Sequence, residues 1–206
     1  MASVPLTEEQ VTDVFLVLNL EHVGLTDEQF VELCSDNDEF HLELTAQKEL
    51  VIMTLPPLGT GRRNTTISTD LEIWARENGT GITFGPLTMF ALPNGARRAP
   101  DGSWVRRERW DALSKEEQEK LTTFFPDFVV ELMSRSDRRP VRFRMLQAKM
   151  AEYIANGAQL GWLIDPYKKR VYVYRPNEPV ECVENPETVS GDPVLPGFTF
   201  HVSQIW

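Results

Sequence analysis

The sequence contains little cysteine and little histidine. Its 206 residues include only two cysteines, Cys34 and Cys182, and three histidines. The cysteines have no CxxC spacing, and His22, His41 and His201 lie apart from both. This scarcity argues against a structural zinc site and against a disulfide framework. We expect both cysteines to be buried free thiols.

Long hydrophobic runs are also missing. Every apolar run is far shorter than the roughly 20 residues that a membrane-spanning helix needs, and the N-terminus lacks the basic and apolar pattern of a signal peptide. We therefore expect a cytoplasmic protein with no membrane partner. With 41% hydrophobic and 25% charged residues, the composition is that of one globular domain, or of one domain with an appendage.

Basic residues are absent from both ends of the chain. The net charge is -10, but residues 1–43 contain eleven acidic side chains and no lysine or arginine, and residues 177–206 contain five acidic side chains and no basic one. Residues 44–176 therefore hold all 21 basic side chains against 15 acidic ones. Because phosphate binding depends on lysine and arginine, the acidic total does not exclude a nucleic-acid partner.

Two capping boxes predict two short acidic helices at the start of the chain. They lie at residues 7–10 (TEEQ) and 26–29 (TDEQ), and apolar residues at helical spacing, including Phe15 and Leu18, continue the first. We expect residues 1–38 to form an N-terminal helical extension packed on the core, and residues 39–206 to form the main domain. A lid or a dimer contact is the alternative role for the first helix.

The remaining elements alternate between strands and helices. A hairpin is expected at residues 40–54, then a flexible loop at residues 55–64 with two solvated arginines, Arg62 and Arg63. A phosphate-binding loop is the alternative there, although no P-loop lysine is present. A helix from Ile67 to the Asn78-Gly79 stop, two or three strands over residues 81–105 and a short helix after Ser114 should follow. Later come a helix at residues 142–156 and strands at 160–165 and 170–174, which together indicate a compact α/β domain.

Residues 126–134 (PDFVVELMS) form the most informative strand of the chain. Alternation places Phe128, Val130 and Leu132 on one face, and Asp127 and Glu131 on the other. A buried carboxylate requires a hydrogen-bond donor, a cation or a metal ion beside it. Glu131 therefore marks a candidate site, unless it is a solvated residue at the strand end.

Basic side chains surround two carboxylates in the middle of the chain. Six of them, against one acidic residue, occupy residues 134–149. Five arginines flank Asp101, two before it and three after it. This arrangement suits a site that holds a metal ion and a phosphate. A solvated face paired with the acidic ends is the alternative. Lys149 lies at the edge of the apolar stripe of its helix, so its amine is expected either to reach the site or to extend to solvent.

Several phrases together carry a family resemblance. They are ELVIM at residues 49–53, LPNGA at 92–96, RAPD at 98–101, PDFVVEL at 126–132, Lys149-Met150 with Tyr153, and GWLIDP at 161–166. Asp101, Glu131 and a following lysine resemble the active-site set of the PD-(D/E)xK nuclease superfamily. The chain from about residue 25 to the end is similar to the Uma-two family of restriction-endonuclease-like proteins.

This resemblance implies a restriction-endonuclease-like core, with a mixed central sheet flanked by helices, and phosphodiester hydrolysis that depends on Mg²⁺ or alternatively on Mn²⁺. Asp101, Glu131 and the backbone carbonyl of Leu132 would hold the metal. The lysine usually found two residues after the second acid is replaced by Met133, so its role passes to Lys149. An apparent insertion around residues 138–144 would displace Lys149 or add phosphate contacts.

Further candidates complete the expected site. Asp127 is expected to be structural. Gln147 and Asn64 are second-tier polar candidates, and the expected phosphate-binding residues are Arg98, Arg138, Arg139 and Arg142.

The functional prediction is a metal-dependent endonuclease that acts on nucleic acid, with DNA as the expected substrate. Cutting both strands would favour a homodimer. A catalytically inactive protein that binds nucleic acid or a partner on the same fold is the main alternative. A regulatory or toxin-like protein, whose acidic N-terminal helices mask the basic face, is a further one.

Overall fold

A computed structural model describes residues 15–206, and in it the chain builds two main sheets. The first sheet has five antiparallel strands in the order β1-β3-β2-β6-β5. Its strands are β1 (Phe15–Asn19), β2 (Phe40–Leu44), β3 (Glu49–Thr54), β5 (Phe90–Ala91) and β6 (Arg97–Arg98). The hairpin of β2 and β3 confirms the sequence prediction, with Phe40 opposite Thr54 and Leu44 opposite Leu50.

The N-terminal prediction was partly wrong. The first predicted helix begins outside the described residues, but Phe15 and Leu18, which it was to include, lie in strand β1. There they pair with Met53 and Leu50 of β3, because main-chain bonding to an open strand edge overrides a helical spacing of apolar residues. The second predicted helix is confirmed as α1 (Asp27–Asp36), with its capping box at Thr26. Phe30 anchors α1 on β2 and β3.

The expected loop at residues 55–64 was also mostly wrong. Helix α2 (Leu58–Asn78) already begins at Leu58, one residue after Pro57. Both arginines of this segment therefore lie in the first turns of a helix. Arg63 is partly buried, and its Nε donates to the carbonyl of Ile205 at 2.7 Å. The predicted C-terminal stop is confirmed, because Gly79 adopts a left-handed φ of 73° and donates its N–H to Ala75.

The second sheet has six strands in the order β11-β10-β9-β8-β7-β4, and its only parallel pair in the described chain is β8 with β9. The predicted strands at residues 160–165 and 170–174 are confirmed, whereas residues 81–105 hold four strands instead of two or three. The strands are β4 (Gly81–Phe84), β7 (Gly102–Arg106), β8 (Phe128–Leu132), β9 (Leu160–Asp165), β10 (Arg170–Tyr174) and β11 (Glu181–Glu184).

Helix α5 (Pro140–Ala155) covers one face of this second sheet. It begins two residues before the predicted start, because Pro140 is well suited to the first turn of a helix. The Cβ atom of a larger residue at Gly161 of β9 would lie 2.7 Å from Met150, so this glycine lets α5 pack closely. The close packing determines the position of Lys149, the neighbour of Met150.

The two faces of β8 lie in two different hydrophobic cores, as the predicted alternation requires. Phe128, Val130 and Leu132 pack with α2 and the C-terminal segment, whereas Val129 and Met133 pack under α5. The fold of a mixed sheet flanked by helices is thus the predicted one. The remaining elements are α3 (Arg107–Asp111), α4 (Lys115–Gln118), β12 (Val189–Ser190), β13 (Thr199–Phe200) and 3₁₀ turns at Ser136–Arg138 and Val202–Ile205.

Both cysteines are free, but Cys182 is exposed on the edge strand β11, so the expectation that both are buried was wrong. Within residues 15–206, no helix has the length and apolar character needed to cross a membrane.

Candidate active site

The strand register brings Asp101 and Glu131 together. Gly102 of β7 lies opposite Val130 of β8, so the next antiparallel pair is Asp101 with Glu131. Asp101 Oδ2 also accepts a hydrogen bond of 2.8 Å from the backbone N–H of Leu132. The two carboxylates that the sequence singled out are therefore neighbours at one edge of the second sheet.

Helix α5 supplies two donors to Glu131. Lys149 Nζ lies 2.7 Å from Glu131 Oε1, and the Tyr153 hydroxyl donates to the same oxygen at 3.0 Å. The two donors are four residues apart, which places them on one face of the helix. Of the two positions expected for the Lys149 amine, the structure has the one beside Glu131.

Lys149 has a second carboxylate partner that the sequence reasoning missed. Its Nζ lies 2.8 Å from Oε1 of Glu43, a residue of β2 with only 2% exposure. Leu42 and Leu44 pack in the core between β2 and α1, so alternation turns Glu43 to the opposite face. That alternation is the signal in the sequence, but it does not show that α5 covers this face.

Arg98 is tied to acidic side chains. Its Nη1 lies 3.1 Å from Glu43 Oε2, and its Nε lies 2.6 Å from Glu152 Oε2. The backbone N–H of Ala99 donates to Glu43 at 3.0 Å. Arg98 was expected to bind phosphate, and this role stays a prediction. In the structure its guanidinium is buried and holds Glu43 beside Lys149.

Asn64 of α2 lies at the site, as the sequence suggested. Its Nδ2 donates to Asp101 Oδ1 at 2.8 Å. Its Oδ1 is buried and has no hydrogen-bond partner among the described residues. A buried acceptor without a partner is unfavourable, so Asn64 presents an oxygen ready to accept a bond or to bind a cation next to Asp101.

The pKa of each neighbouring carboxyl group is raised above its usual value. Burial raises the pKa of Asp101 above its usual value, although the N–H of Leu132 and the charge of Lys149 oppose the shift. Burial likewise raises the pKa of Glu131, to about 8, and the charges of Asp101 and Glu43 add to this effect against Lys149. Two acids that repel each other in a buried position fit a site that accepts a cation.

Glu43 and Lys149 are instead both held in their charged forms. Burial would raise the pKa of Glu43, but the charges of Lys149 and Arg98 outweigh it and hold the pKa at about 2. Burial would lower the pKa of Lys149, but Glu131 and Glu43 raise it above the usual value. Glu43 is therefore ionised and Lys149 is protonated at neutral pH, and the two form a fixed ion pair.

The oxygen atoms at this site fit a hard divalent cation. Asp101, Glu131, the carbonyl of Leu132 and the free oxygen of Asn64 are the donor types that Mg²⁺ prefers, and Mg²⁺ usually keeps several waters in addition. No group of three or more His, Cys, Asp or Glu side chains placed to hold a metal occurs in residues 15–206. A metal would therefore rest on two carboxylates and on neutral oxygens.

The other predicted residues lie around this centre or away from it. Gln147 lies beside Tyr174 of β10. Residues two positions apart in a helix differ by about 200° around its axis, so Gln147 lies on the side of α5 that faces away from Lys149. Arg138 is exposed near the ring of Tyr167, and the Arg142 guanidinium carbon lies 4.3 Å from the centroid of the Phe15 ring. Arg139 immediately precedes α5.

Asp127 lies at the other end of β8. Its Oδ2 accepts from the backbone N–H of Arg106 at 2.9 Å and lies 2.9 Å from Nη1 of Arg109. These contacts hold the start of α3 against the sheet. The placement agrees with the structural role expected for Asp127.

The structure thus brings together a helix-flanked mixed sheet, Glu131 on β8, Asp101 just before β7 and the Lys149 amine beside them. Residues 27–203 match the model of the Uma2 family, described as "Putative restriction endonuclease". The chain therefore belongs to the Uma2 family, the one that its sequence resembled.

Comparison with solved structures supports the same fold. The chain is similar to the crystal structure of "a putative nuclease belonging to DUF820" from Anabaena variabilis ATCC 29413, with a TM-score of 0.66 and 17% sequence identity. The match covers 80% of this chain and 88% of the other. No curated protein sequence matches the chain.

Proposed function

We propose that this protein is a metal-dependent endonuclease that hydrolyses phosphodiester bonds in DNA, with Mg²⁺ as its cofactor and Mn²⁺ as a substitute. Membership of a family described in terms of restriction endonucleases supports nuclease chemistry. The observation that carries the proposal is the position of Asp101 opposite Glu131, with Lys149 Nζ 2.7 Å from Glu131.

Asp101, Glu131 and the carbonyl of Leu132 are the groups that would hold the metal, with Asn64 beside them. A bound divalent ion lowers the pKa of a water ligand and neutralises charge on the scissile phosphate. Binding requires Glu131 to lose its proton, and its pKa of about 8 makes this loss depend on pH near neutrality.

Lys149 is proposed to act as a cation and hydrogen-bond donor. Its raised pKa keeps the amine protonated, which suits this role. A fixed ammonium stabilises the negative charge that develops on the phosphate during hydrolysis. Glu43 and Arg98 hold this ammonium in place through the chain of contacts from Arg98 to Glu43 to Lys149.

The direct test is cleavage of supercoiled plasmid DNA by the purified protein with Mg²⁺ or Mn²⁺. We expect nicked or linear product from the wild type. Asp101→Asn and Glu131→Gln should each retain below about 1% of the activity, since each removes a charge that the transition state requires. Glu116→Gln, which neutralises an exposed carboxylate on α4, is the matched control and should cut like the wild type.

Robust cutting by both Asp101→Asn and Glu131→Gln would show that the site is wrong. A wild type that binds no divalent metal but binds DNA in a salt-sensitive way would support the inactive binding protein instead. A parallel assay on RNA tests the choice of DNA. The ratio of linear to nicked product, with the mass in solution, tests the predicted homodimer.

A further inference from the structure

Two arginines from different elements meet at one tyrosine. The guanidinium carbons of Arg63 and Arg138 each lie 5.7 Å from the centroid of the Tyr167 ring. Arg63 belongs to the second turn of α2, Arg138 ends the 3₁₀ turn after β8, and Tyr167 lies in the turn between β9 and β10. Cations at this distance are attracted by the ring face, so the Tyr167 ring holds the two guanidinium groups near each other.

Hydrogen bonds hold Tyr167 and Arg63 in place. The backbone N–H groups of Tyr167 and Lys168 both donate to Asp165 Oδ1 at 3.0 Å, and Asp165 is fully buried. Arg63 is held at 2.7 Å by the carbonyl of Ile205. Within residues 15–206, neither Arg63 nor Arg138 forms an ion pair with a carboxylate. Their positive charges are therefore available to a ligand.

The arrangement lies at the same edge of the sheet as Asp101 and Glu131. Arg63 immediately precedes Asn64, the hydrogen-bond donor to Asp101. Arg138 immediately follows Asp137, whose charge acts on Asp101. Tyr167 follows Asp165, which the parallel register of β8 and β9 places level with Met133. Each of the three side chains is thus attached to an element that also contacts the site.

We propose that Arg63, Tyr167 and Arg138 form a clamp for the phosphate backbone of a nucleic-acid strand that enters the site. This inference rests on the proposed nuclease function, because the bound strand is the substrate of that site. The two arginines bind phosphate oxygens, and Tyr167 is a positioning residue that preorganises them. Such contacts fix a strand without reading its sequence.

The test measures DNA binding in the absence of metal. Anisotropy of a short fluorescein-labelled duplex is recorded in EDTA over a series of salt concentrations. Arg63→Gln and Arg138→Gln should each weaken binding up to about fivefold. Each should also reduce the slope of log affinity against log salt by about 0.9, the value for one phosphate contact. Duplexes of different sequence should be affected equally.

Substitutions at the tyrosine test its positioning role. Tyr167→Leu should weaken binding, and Arg138→Gln should then have a smaller effect than in the wild type, because the two substitutions disrupt one unit. Tyr167→Phe should bind like the wild type, since the ring and not the hydroxyl holds the cations. Equal losses with Phe and Leu would overturn the assigned role of the ring.

Arg76→Gln is the matched control for net charge. Arg76 lies on the same helix as Arg63, about 20 Å along its axis, and its side chain is 78% exposed. This variant should bind DNA almost normally. Equal weakening by Arg76→Gln, or wild-type affinity and salt slope for Arg63→Gln and Arg138→Gln, would overturn the clamp.

The outcome is separable from that of the nuclease proposal. If the wild type never cuts DNA but the clamp variants lose affinity, the nuclease proposal fails and the clamp stands. If the wild type cuts and the clamp variants bind DNA normally, only the clamp fails.

Discussion

Lys149 binds Glu43, a carboxylate from the first sheet, as closely as it binds Glu131 from the second. The Nζ to Oε1 distances are 2.8 Å to Glu43 and 2.7 Å to Glu131. One buried ammonium therefore joins the two sheets and compensates two buried acids. Removing one member of such a cluster leaves uncompensated charge in the interior.

Replacing Lys149 with methionine should reduce the free energy of unfolding by about 3 kcal/mol at pH about 8, the low end of the range for a broken buried ion pair. Arg98 still compensates Glu43 in this variant, which limits the loss. Urea denaturation measures the change. Lys120→Met, at an exposed ion pair on the surface, is the control and should change stability by no more than about 0.5 kcal/mol. Equal stability of the Lys149→Met and Lys120→Met proteins would show that Lys149 does not compensate the buried acids Glu43 and Glu131.

Glu131→Gln should stabilise the metal-free protein as the pH rises. The folded-state pKa of Glu131, about 8, lies above the usual glutamate value of 4.5, so the folded state binds the proton more tightly than the unfolded state. Ionisation of Glu131 therefore reduces stability progressively as the pH rises through this window, and the full loss is present above about pH 8. Glutamine removes this effect.

Denaturation of wild type and Glu131→Gln in EDTA at pH about 5, 7 and 9 measures the difference, which should grow toward high pH to as much as a few kcal/mol. Glu116→Gln, at an exposed position, should show no such trend. The pKa of Glu43, about 2, has the opposite consequence, because its stabilisation is complete above the usual glutamate value of 4.5 and is lost as the pH falls toward 2. A difference that shrinks toward high pH would contradict the raised pKa of Glu131.

Divalent metal should stabilise the wild type more than Asp101→Asn. A ligand that binds only the folded state at 100 times its dissociation constant stabilises it by about 2.7 kcal/mol. Asp101→Asn removes one of the two charged oxygen donors and should lose most of this gain. Thermal unfolding with increasing Mg²⁺ measures the effect, which should be larger above pH about 8, where Glu131 is ionised. Equal stabilisation of both proteins would place the metal elsewhere.

Asp127→Ala should reduce stability without removing activity. It loses the bonds to the Arg106 N–H and to Arg109, both at 2.9 Å, and two such buried contacts correspond to about 1–3 kcal/mol. Denaturation measures the stability, and plasmid cleavage per folded molecule should remain near that of the wild type. A stable but inactive Asp127→Ala protein would show that the Asp127 carboxylate takes part in the reaction.

Local patterns predicted the parts of the site that depend on neighbouring residues. Alternation assigned Glu131 to the opposite face from Phe128 and Val130, because successive side chains of any strand point in opposite directions. Lys149 lies at the edge of the apolar stripe of its helix, and this helical spacing predicted a position near the core. The resemblance then paired Asp101 with Glu131, and the register of β7 with β8 places them opposite each other.

Contacts between distant segments accounted for what the sequence reasoning missed. Phe15 and Leu18 fit a helical spacing, but the open edge of β3 bonds them as a strand. In the sequence, Glu43 resembles an ordinary charged residue of a hairpin. In the structure, α5 packs over its face of the sheet and Lys149 contacts it. Gln147 lies only two residues from Lys149, yet the rotation of the helix turns it toward Tyr174.

The sequence by itself determined the family and the mixed sheet and singled out Asp101, Glu131 and Lys149 as candidates, because each depends on short-range periodicity or on a motif. Only the tertiary structure decided that Glu43 and Arg98 complete the charge network, and that Arg63, Arg138 and Tyr167 meet. These residues come from elements far apart in the chain. Their proximity depends on strand order and on the packing of α2 and α5 against the sheets, which no local pattern encodes.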